Sequence, residues 1–113
     1  MHELSIALSI LDIAAEEAQR RGVRVLGIHL KLGLLSGVVK EALLSAYELA
    51  READPEGEAR LVIEEVPVRA YCPTCQTTRP VVSVQELCCV ECGTPTPQIV
   101  SGRELEVVAL EIQ

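Results

Sequence analysis

Four cysteines in two Cys-x-x-Cys pairs are the residues of this sequence best suited to chemistry. Cys72 and Cys75 form the first pair, and Cys89 and Cys92, followed by Gly93, form the second. A Cys-x-x-Cys turn directs two thiolates at one metal, and two such turns complete the tetrahedral sulfur shell that structural zinc prefers. The spacing therefore predicts a zinc ribbon with Cys72, Cys75, Cys89 and Cys92 as its ligands.

Other uses of these cysteines are less well supported. Iron in a rubredoxin-like site needs the same four thiolates and is chemically possible. Disulfides need an oxidising compartment, yet the N-terminus lacks a basic stretch followed by an apolar stretch and a small-residue cleavage site. The fifth cysteine, Cys88, adjoins Cys89, and either neighbour could bind the metal. Cys89 has the two-residue spacer to Cys92, so we expect Cys88 to be a bystander.

Composition limits the kinds of partner that this chain can have. Its 113 residues have a net charge of −7, two aromatic side chains and no long run of Lys or Arg. Nucleic acid binding is disfavoured, because phosphate neutralisation needs clustered cations and single-strand binding uses stacking aromatics. No apolar run approaches membrane-spanning length. We expect a soluble cytoplasmic protein with an aliphatic core, monomeric or weakly dimeric, that binds neither nucleic acid nor membranes.

Hydrophobic periodicity predicts the elements that position the cysteines. A first helix begins directly after His2 and stops at Gly22, and a second helix has Ser36 as its N-cap and ends at about residue 54. Alternating apolar residues predict strands at 24–32, 61–66 and 104–112. The apolar face of the first helix carries Leu4, Leu8, Leu11, Ala15 and Ala18, with Ala7, Ile10 and Ala14 beside them, and we expect it to be buried.

The order of these elements predicts an α+β fold. A small three-stranded sheet is covered by two helices, and a four-cysteine zinc ribbon is inserted before the last strand. Residues 1–66 and 103–113 then form one domain, and residues 67–102 form the zinc-ribbon domain. A ribbon of about thirty residues with so few apolar side chains depends on its metal to fold.

The second candidate for metal binding is the N-terminal segment Met1-His2-Glu3. A free α-amino group, the amide nitrogen of residue 2 and the His2 imidazole can close fused chelate rings in one plane. Such a planar nitrogen set suits Ni(II) or Cu(II), whereas zinc prefers a tetrahedron. Glu3, water or a partner's ligand could fill the fourth position. On composition alone, an exposed terminal histidine without a function is the simpler interpretation.

Several segments together resemble the HypA/HybF family of nickel metallochaperones, which serve the maturation of [NiFe]-hydrogenase. They are MHELS at positions 1–5, GLLSGVVKEALL at 33–44, IEEVPVRAYCPTC at 63–75, the second Cys-x-x-Cys-Gly turn and GRELEV at 102–107. The resemblance extends over essentially the whole chain. An N-terminal MHE combined with a four-cysteine ribbon is more specific than either part alone. Two positions depart from the family pattern, since Leu34 replaces a common acidic residue and Lys40 a common proline.

The resemblance implies a nickel-binding α/β domain with His2 as the essential ligand, Met1 and Glu3 beside it, and a structural zinc domain. It also implies a protein that is not an enzyme and that passes Ni(II) to the hydrogenase large subunit with the help of a nickel-binding GTPase. In some bacteria the family also serves urease. The residues themselves include no Ser/His/Asp motif and no phosphate-binding glycine loop. The alternative from another class is a zinc-ribbon interaction module whose only metal is structural.

Overall fold

The computed structural model describes residues 2–54, 57–83, 85–96 and 98–113. Its elements follow the predicted order of helix, strand, helix, strand, ribbon and strand, which confirms the predicted α+β fold. None of the helices in the described ranges is long and apolar enough to cross a lipid bilayer. The helices and strands are α1 (Glu3–Arg21), β1 (Val25–Gly33), α2 (Lys40–Glu52), β2 (Arg60–Val66), β3 (Arg69–Cys72), β4 (Thr77–Pro80), β5 (Ile99–Ser101) and β6 (Leu105–Ile112).

The strands form two separate three-stranded sheets. In the first sheet the order is β2-β1-β6, with β1 parallel to β2 and antiparallel to β6. The parallel pair follows from α2, because a crossover helix lets β2 run in the same direction as β1. The second sheet has the order β4-β3-β5 and lies in the cysteine-containing segment. The ribbon is therefore inserted between the two edge strands that flank β1.

The core lies between the first sheet and its two helices. The central strand contributes Ile28, Leu30 and Leu32, each at most 2% exposed. Tyr47 of α2 is fully buried, and its hydroxyl donates a hydrogen bond of 2.8 Å to the carbonyl of Ala59. The remaining core is aliphatic, as the composition predicts. Its helical members are Ala7, Ile10, Leu11, Ala14, Leu43 and Ala50.

The buried face of α1 differs in part from the predicted one. Leu4 and Leu8 are 50% and 48% exposed, whereas Ala7 and Ile10 are buried. Both stripes have helical periodicity, so local pattern does not distinguish them. The small side chain of Ala7 lets the helix lie close to the sheet, and the bulkier leucines are left toward solvent.

The predicted N-cap of α2 is also wrong. Val39 occupies that position, with φ −88° and ψ 125°, and no side chain caps the helix. Ser36 lies in the preceding turn, where its Oγ accepts a hydrogen bond of 3.2 Å from the Val38 amide. Local bonds of this kind compete with helix capping, and here they fold the loop so that Val38 enters the core.

Strand β6 contains a bulge that the alternating pattern does not predict. His29 pairs with Ala109 but the next residue, Leu30, pairs with Val107, so Val108 has no partner in β1. Val107 and Leu110 are an odd number of residues apart, so in a regular strand their side chains would point to opposite faces. The bulge turns both side chains toward the core. Val108 is left 49% exposed on the surface.

Both connections to the ribbon are tied to the loop after β1. The amide of Leu34 donates to the Val66 carbonyl at 3.2 Å, and the amide of Leu35 donates to the Gly102 carbonyl at 2.6 Å. Gly33 has no side chain where it meets Gly102, and an added Cβ would collide with the Gly102 backbone. The ribbon is therefore anchored at the end of the central strand.

Replacing Tyr47 by Phe should lower the free energy of unfolding by about 1 kcal/mol, because it removes one buried hydrogen bond and keeps the ring. Urea denaturation followed by far-UV circular dichroism measures this, since the described helices all belong to the unit that contains Tyr47. Leu49→Ala is the control, because Leu49 is 66% exposed. Equal stability of the native protein and Tyr47→Phe would contradict the role of this hydrogen bond.

Candidate metal centre

The sulfur atoms of Cys72, Cys75, Cys89 and Cys92 all lie within 4.8 Å of one another. The Sγ atoms of Cys72 and Cys92 are 3.6 Å apart. Cys75 Sγ lies 3.8 Å from that of Cys89 and 3.7 Å from that of Cys92. Zinc–sulfur bonds of about 2.3 Å in a tetrahedron place the sulfurs about 3.8 Å apart, whereas a disulfide needs about 2.05 Å. The arrangement fits one four-coordinate metal.

The two Cys-x-x-Cys turns are built in the same way. The Cys75 amide donates to Cys72 Sγ at 3.3 Å, and the Glu91 amide donates to Cys89 Sγ at 3.4 Å. Each turn continues into a left-handed residue, Gln76 with φ 54° and Gly93 with φ 76°. Glycine at position 93 signals this conformation in the sequence. Glutamine at position 76 does not, so the sequence does not predict a left-handed residue there.

Hairpins position both turns. Cys72 ends β3 and pairs with Thr77 at the start of β4, so the first turn connects two antiparallel strands. In the second turn, the Cys89 amide donates to the Thr94 carbonyl at 2.8 Å. Cys72 and Cys89 are buried, while Cys92 lies exposed at the rim. The cluster is thus half enclosed and open to metal from one side.

Charges and hydrogen bonds act unequally on the four thiols. The Thr94 side chain and backbone lower the pKa of Cys92 to about 6, and Thr94 Oγ1 lies 3.1 Å from Cys92 Sγ. Arg79 lowers the pKa of Cys75, but the neighbouring thiols and burial outweigh it and raise that pKa to about 11. Four thiolates so close together repel one another, and a divalent cation removes that repulsion.

Of the two adjacent cysteines, the structure brings Cys89 into the cluster. Cys88 is exposed, pairs with Pro95 in an isolated bridge and donates its amide to the Glu86 carbonyl at 2.9 Å. Successive residues of an extended segment point to opposite sides, which separates the two sulfurs. This placement agrees with the expectation that Cys88 is a bystander.

The N-terminal candidate begins at Met1, which lies outside the described residues. His2 is exposed and is the N-cap of α1, with φ −93° and ψ 111°. Its carbonyl accepts the first helical hydrogen bond, from the Ile6 amide at 3.2 Å. The first amides of a helix have no partner within it. The amides of His2 and Glu3 are therefore outside the ladder of helical hydrogen bonds.

The second histidine, His29, lies on the sheet face that the helices leave open. Its Nε2 is 3.6 Å from Glu111 Oε1, and Glu111 also forms a 3.4 Å ion pair with Arg60. Within the described part of the chain, the cysteine cluster is the only group of three or more His, Cys, Asp or Glu side chains close enough to share a metal. His29 is therefore a partly exposed residue of β1 whose described neighbours do not form a metal site with it.

Comparison with known proteins identifies the family to which this arrangement belongs. Residues 1–112 match the sequence profile of the family described as "Hydrogenase/urease nickel incorporation, metallochaperone, hypA". The chain belongs to the HypA family. A hydrogenase maturation factor HypA from Roseiflexus sp. (strain RS-1) is 47% identical over 114 residues, which cover 100% of this chain and 93% of that protein. The HypA of Chloroflexus aggregans is 46% identical over 112 residues and 98% of each chain.

Solved HypA structures share the fold. The solution structure of the Ni metallochaperone HypA from Helicobacter pylori has a TM-score of 0.65 and 24% identity, covering 99% of this chain and 97% of that one. A second solution structure of a HypA protein has a TM-score of 0.72, also at 24% identity, and covers 100% of this chain and 97% of that one. The fold of two helices on a small sheet is thus shared with solved HypA structures.

Replacing Cys89 by Ser should abolish tight zinc binding, because three thiolates cannot complete the shell, whereas Cys88→Ser should bind zinc like the native protein. We expect Cys89→Ser to lose more zinc affinity than the roughly 10–100-fold that is lost when a residue outside the ligand shell is changed. Metal content after dialysis against a chelator measures both variants. Zinc loss in Cys88→Ser with retention in Cys89→Ser would reverse the assignment.

Proposed function

We propose that this chain is a nickel metallochaperone that binds Ni(II) at its N-terminus and delivers it for the maturation of [NiFe]-hydrogenase. Its four-cysteine cluster holds a structural zinc ion. The observation that carries the proposal is an exposed His2 at the start of α1 in a chain that matches the HypA family over residues 1–112. The curated relatives are named hydrogenase maturation factors, which supports the same assignment.

The nickel ligands in this proposal are the Met1 amine, the amide nitrogen and imidazole of His2, and the amide or carboxylate of Glu3. A planar set of nitrogen and oxygen donors suits Ni(II). A deprotonated amide is an anion, and the positive end of the α1 dipole stabilises negative charge at this position. Because the His2 amide makes no helical hydrogen bond, its use as a ligand leaves α1 intact.

The exposure of this site suits the transfer of nickel. His2 lies at the surface, so a ligand from a partner protein can approach the metal without any opening of the core. The zinc site has the opposite character, because four thiolates close the coordination shell and leave no position for an incoming ligand. Nickel is therefore the cargo, and zinc is a fixed part of the fold.

The zinc ribbon, residues 67–102, is proposed to be a structural and docking domain. Residues 1–66 and 103–113 form the nickel domain in this division, which agrees with the end of β2 at Val66 and the start of β6 at Leu105. The buried hydrophobic residues described within the ribbon are few, and two of them are cysteines of the cluster. A segment with so small a core gains most of its stability from metal binding.

The partners follow from the delivery of nickel. We infer that the chain passes Ni(II) to the hydrogenase large subunit with the help of a nickel-binding maturation GTPase. We also infer that urease is a further client in some organisms. The chain itself acts without catalysis. Thiolate ligands persist in a reducing compartment, which supports a cytoplasmic location.

His2→Ala should abolish tight Ni(II) binding while the fold and zinc binding are retained, because it removes the imidazole that closes the chelate. Calorimetric titration of zinc-loaded protein, with the visible absorption of planar Ni(II), measures the loss. His29→Ala is the matched control, since this second histidine lies on the sheet, with its Nε2 3.6 Å from Glu111 Oε1. Equal nickel binding by the native protein and His2→Ala would contradict the proposal and favour a zinc-ribbon interaction module.

Adding Gly-Ser before Met1 should also abolish the planar nickel complex, because the free amine is then displaced by two residues and the Met1 nitrogen becomes an amide. The same titration and absorption spectrum test this, with zinc content as the control for folding. Unchanged affinity and spectrum in the extended protein would exclude the Met1 amine as a ligand and leave His2 to be tested separately.

A further inference from the structure

The zinc ribbon concentrates negative charge around its cysteines. Four thiolates and one Zn²⁺ carry a net charge of about −2, and burial of uncompensated charge is unfavourable. Residues 67–102 contain only two basic side chains, Arg69 and Arg79, and two acidic ones, Glu86 and Glu91. Within residues 67–102, positive charge that compensates the cluster can therefore come only from one of these two arginines.

The register of the first hairpin places Arg79 on the side of the cluster. In the β3–β4 pair, Cys72 lies opposite Thr77 and Ala70 lies opposite Arg79. Residues two apart on a strand share a face, so the Arg79 and Cys72 side chains lie on the same face of the hairpin. The small side chain of Ala70, which is 1% exposed, leaves room for the long arginine across from it.

Arg79 lies on the face of the hairpin that carries Cys72, and its Nε is buried there. Interactions with the Cys75 and Cys89 side chains raise the pKa of Arg79, hydrogen bonding to Cys75 being the largest cause. Arg79 Nε is buried and has no hydrogen-bond partner among the described residues. A buried donor without an acceptor is unfavourable, and a thiolate is a better acceptor than a thiol. The side chain is thus placed for a cluster that carries negative charge.

We propose that Arg79 is a positioning residue of the zinc site, whose guanidinium joins the two Cys-x-x-Cys turns by charge-assisted hydrogen bonds to the Cys75 and Cys89 thiolates. Its positive charge offsets half of the net charge of the zinc–thiolate group. Its planar fork holds the two sulfurs in the orientation that the metal requires. This inference rests on the proposed zinc site.

The first test compares zinc affinity among variants of the full-length chain by competition with a chromophoric chelator. Arg79→Gln should bind zinc about 10–100-fold more weakly, as is typical for loss of a hydrogen-bond partner of a ligand. Arg79→Lys should lose less zinc affinity, because lysine keeps the positive charge but lacks the planar guanidinium that can bond to both sulfurs. Arg69→Gln should match the native protein, since Arg69 is exposed and lies one residue from Ala70, on the other face of β3.

The second test separates this role from a purely structural one. In protein loaded with Co(II), the thiolate-to-metal charge-transfer absorption should move to longer wavelength in Arg79→Gln, because the sulfur lone pairs lose a stabilising donor. The visible bands of tetrahedral Co(II) should persist. If Arg79→Gln does not fold, Arg79→Lys provides the same comparison, with a smaller shift in the same direction.

Two results would overturn the inference, and they are distinguishable. Equal zinc affinity and identical charge-transfer spectra in the Arg79 variants and in Arg69→Gln would exclude a role for Arg79. The zinc site itself would not be affected by that result. A native protein that binds no zinc at stoichiometric amounts would refute the zinc site itself, and the role of Arg79 with it.

Discussion

Convergence of four cysteine sulfurs is the constraint on which the ribbon and its connection to the rest of the chain depend. The strands β3, β4 and β5 are only three or four residues long, too short for a stable sheet by themselves. When the two Cys-x-x-Cys turns share one metal, they hold these strands together. Because β3 pairs with β5, the chain then leaves the ribbon close to where it entered. That return allows β6 to lie beside β1 and complete the first sheet.

The connections also relate the position of the ribbon to that of the proposed nickel site. Short segments join α1 to β1 and β1 to α2, so both helices run opposite to β1 and begin near its carboxyl end. His2 at the start of α1 is therefore at the edge of the sheet from which Gly33 and Leu35 contact the residues leading out of the ribbon. Backbone hydrogen bonds thus connect this edge of the sheet directly to the ends of the ribbon.

The two regions differ as their proposed functions require. The cysteine cluster is half enclosed, its sulfurs accept backbone hydrogen bonds, and Arg79 lies on the face of the hairpin that carries Cys72. Such support makes a metal site rigid and slow to exchange. His2, by contrast, is exposed at the start of a helix, and the proposed donors come from consecutive residues. A site of that kind can bind a metal with suitable geometry and still release it to a partner.

The amino-acid sequence by itself determined the cysteine spacing, the candidate N-terminal chelate, the order of elements and the α+β class, because each follows from neighbouring residues or from short-range periodicity. Only the tertiary structure decided which apolar stripe of α1 is buried, that Val108 forms a bulge and that Gln76 is left-handed. It also decided that Arg79 lies on the same face of the β3–β4 hairpin as Cys72. These features depend on strand register and on contacts between distant segments. Without those contacts, the same sequence is compatible with more than one local conformation and more than one buried face.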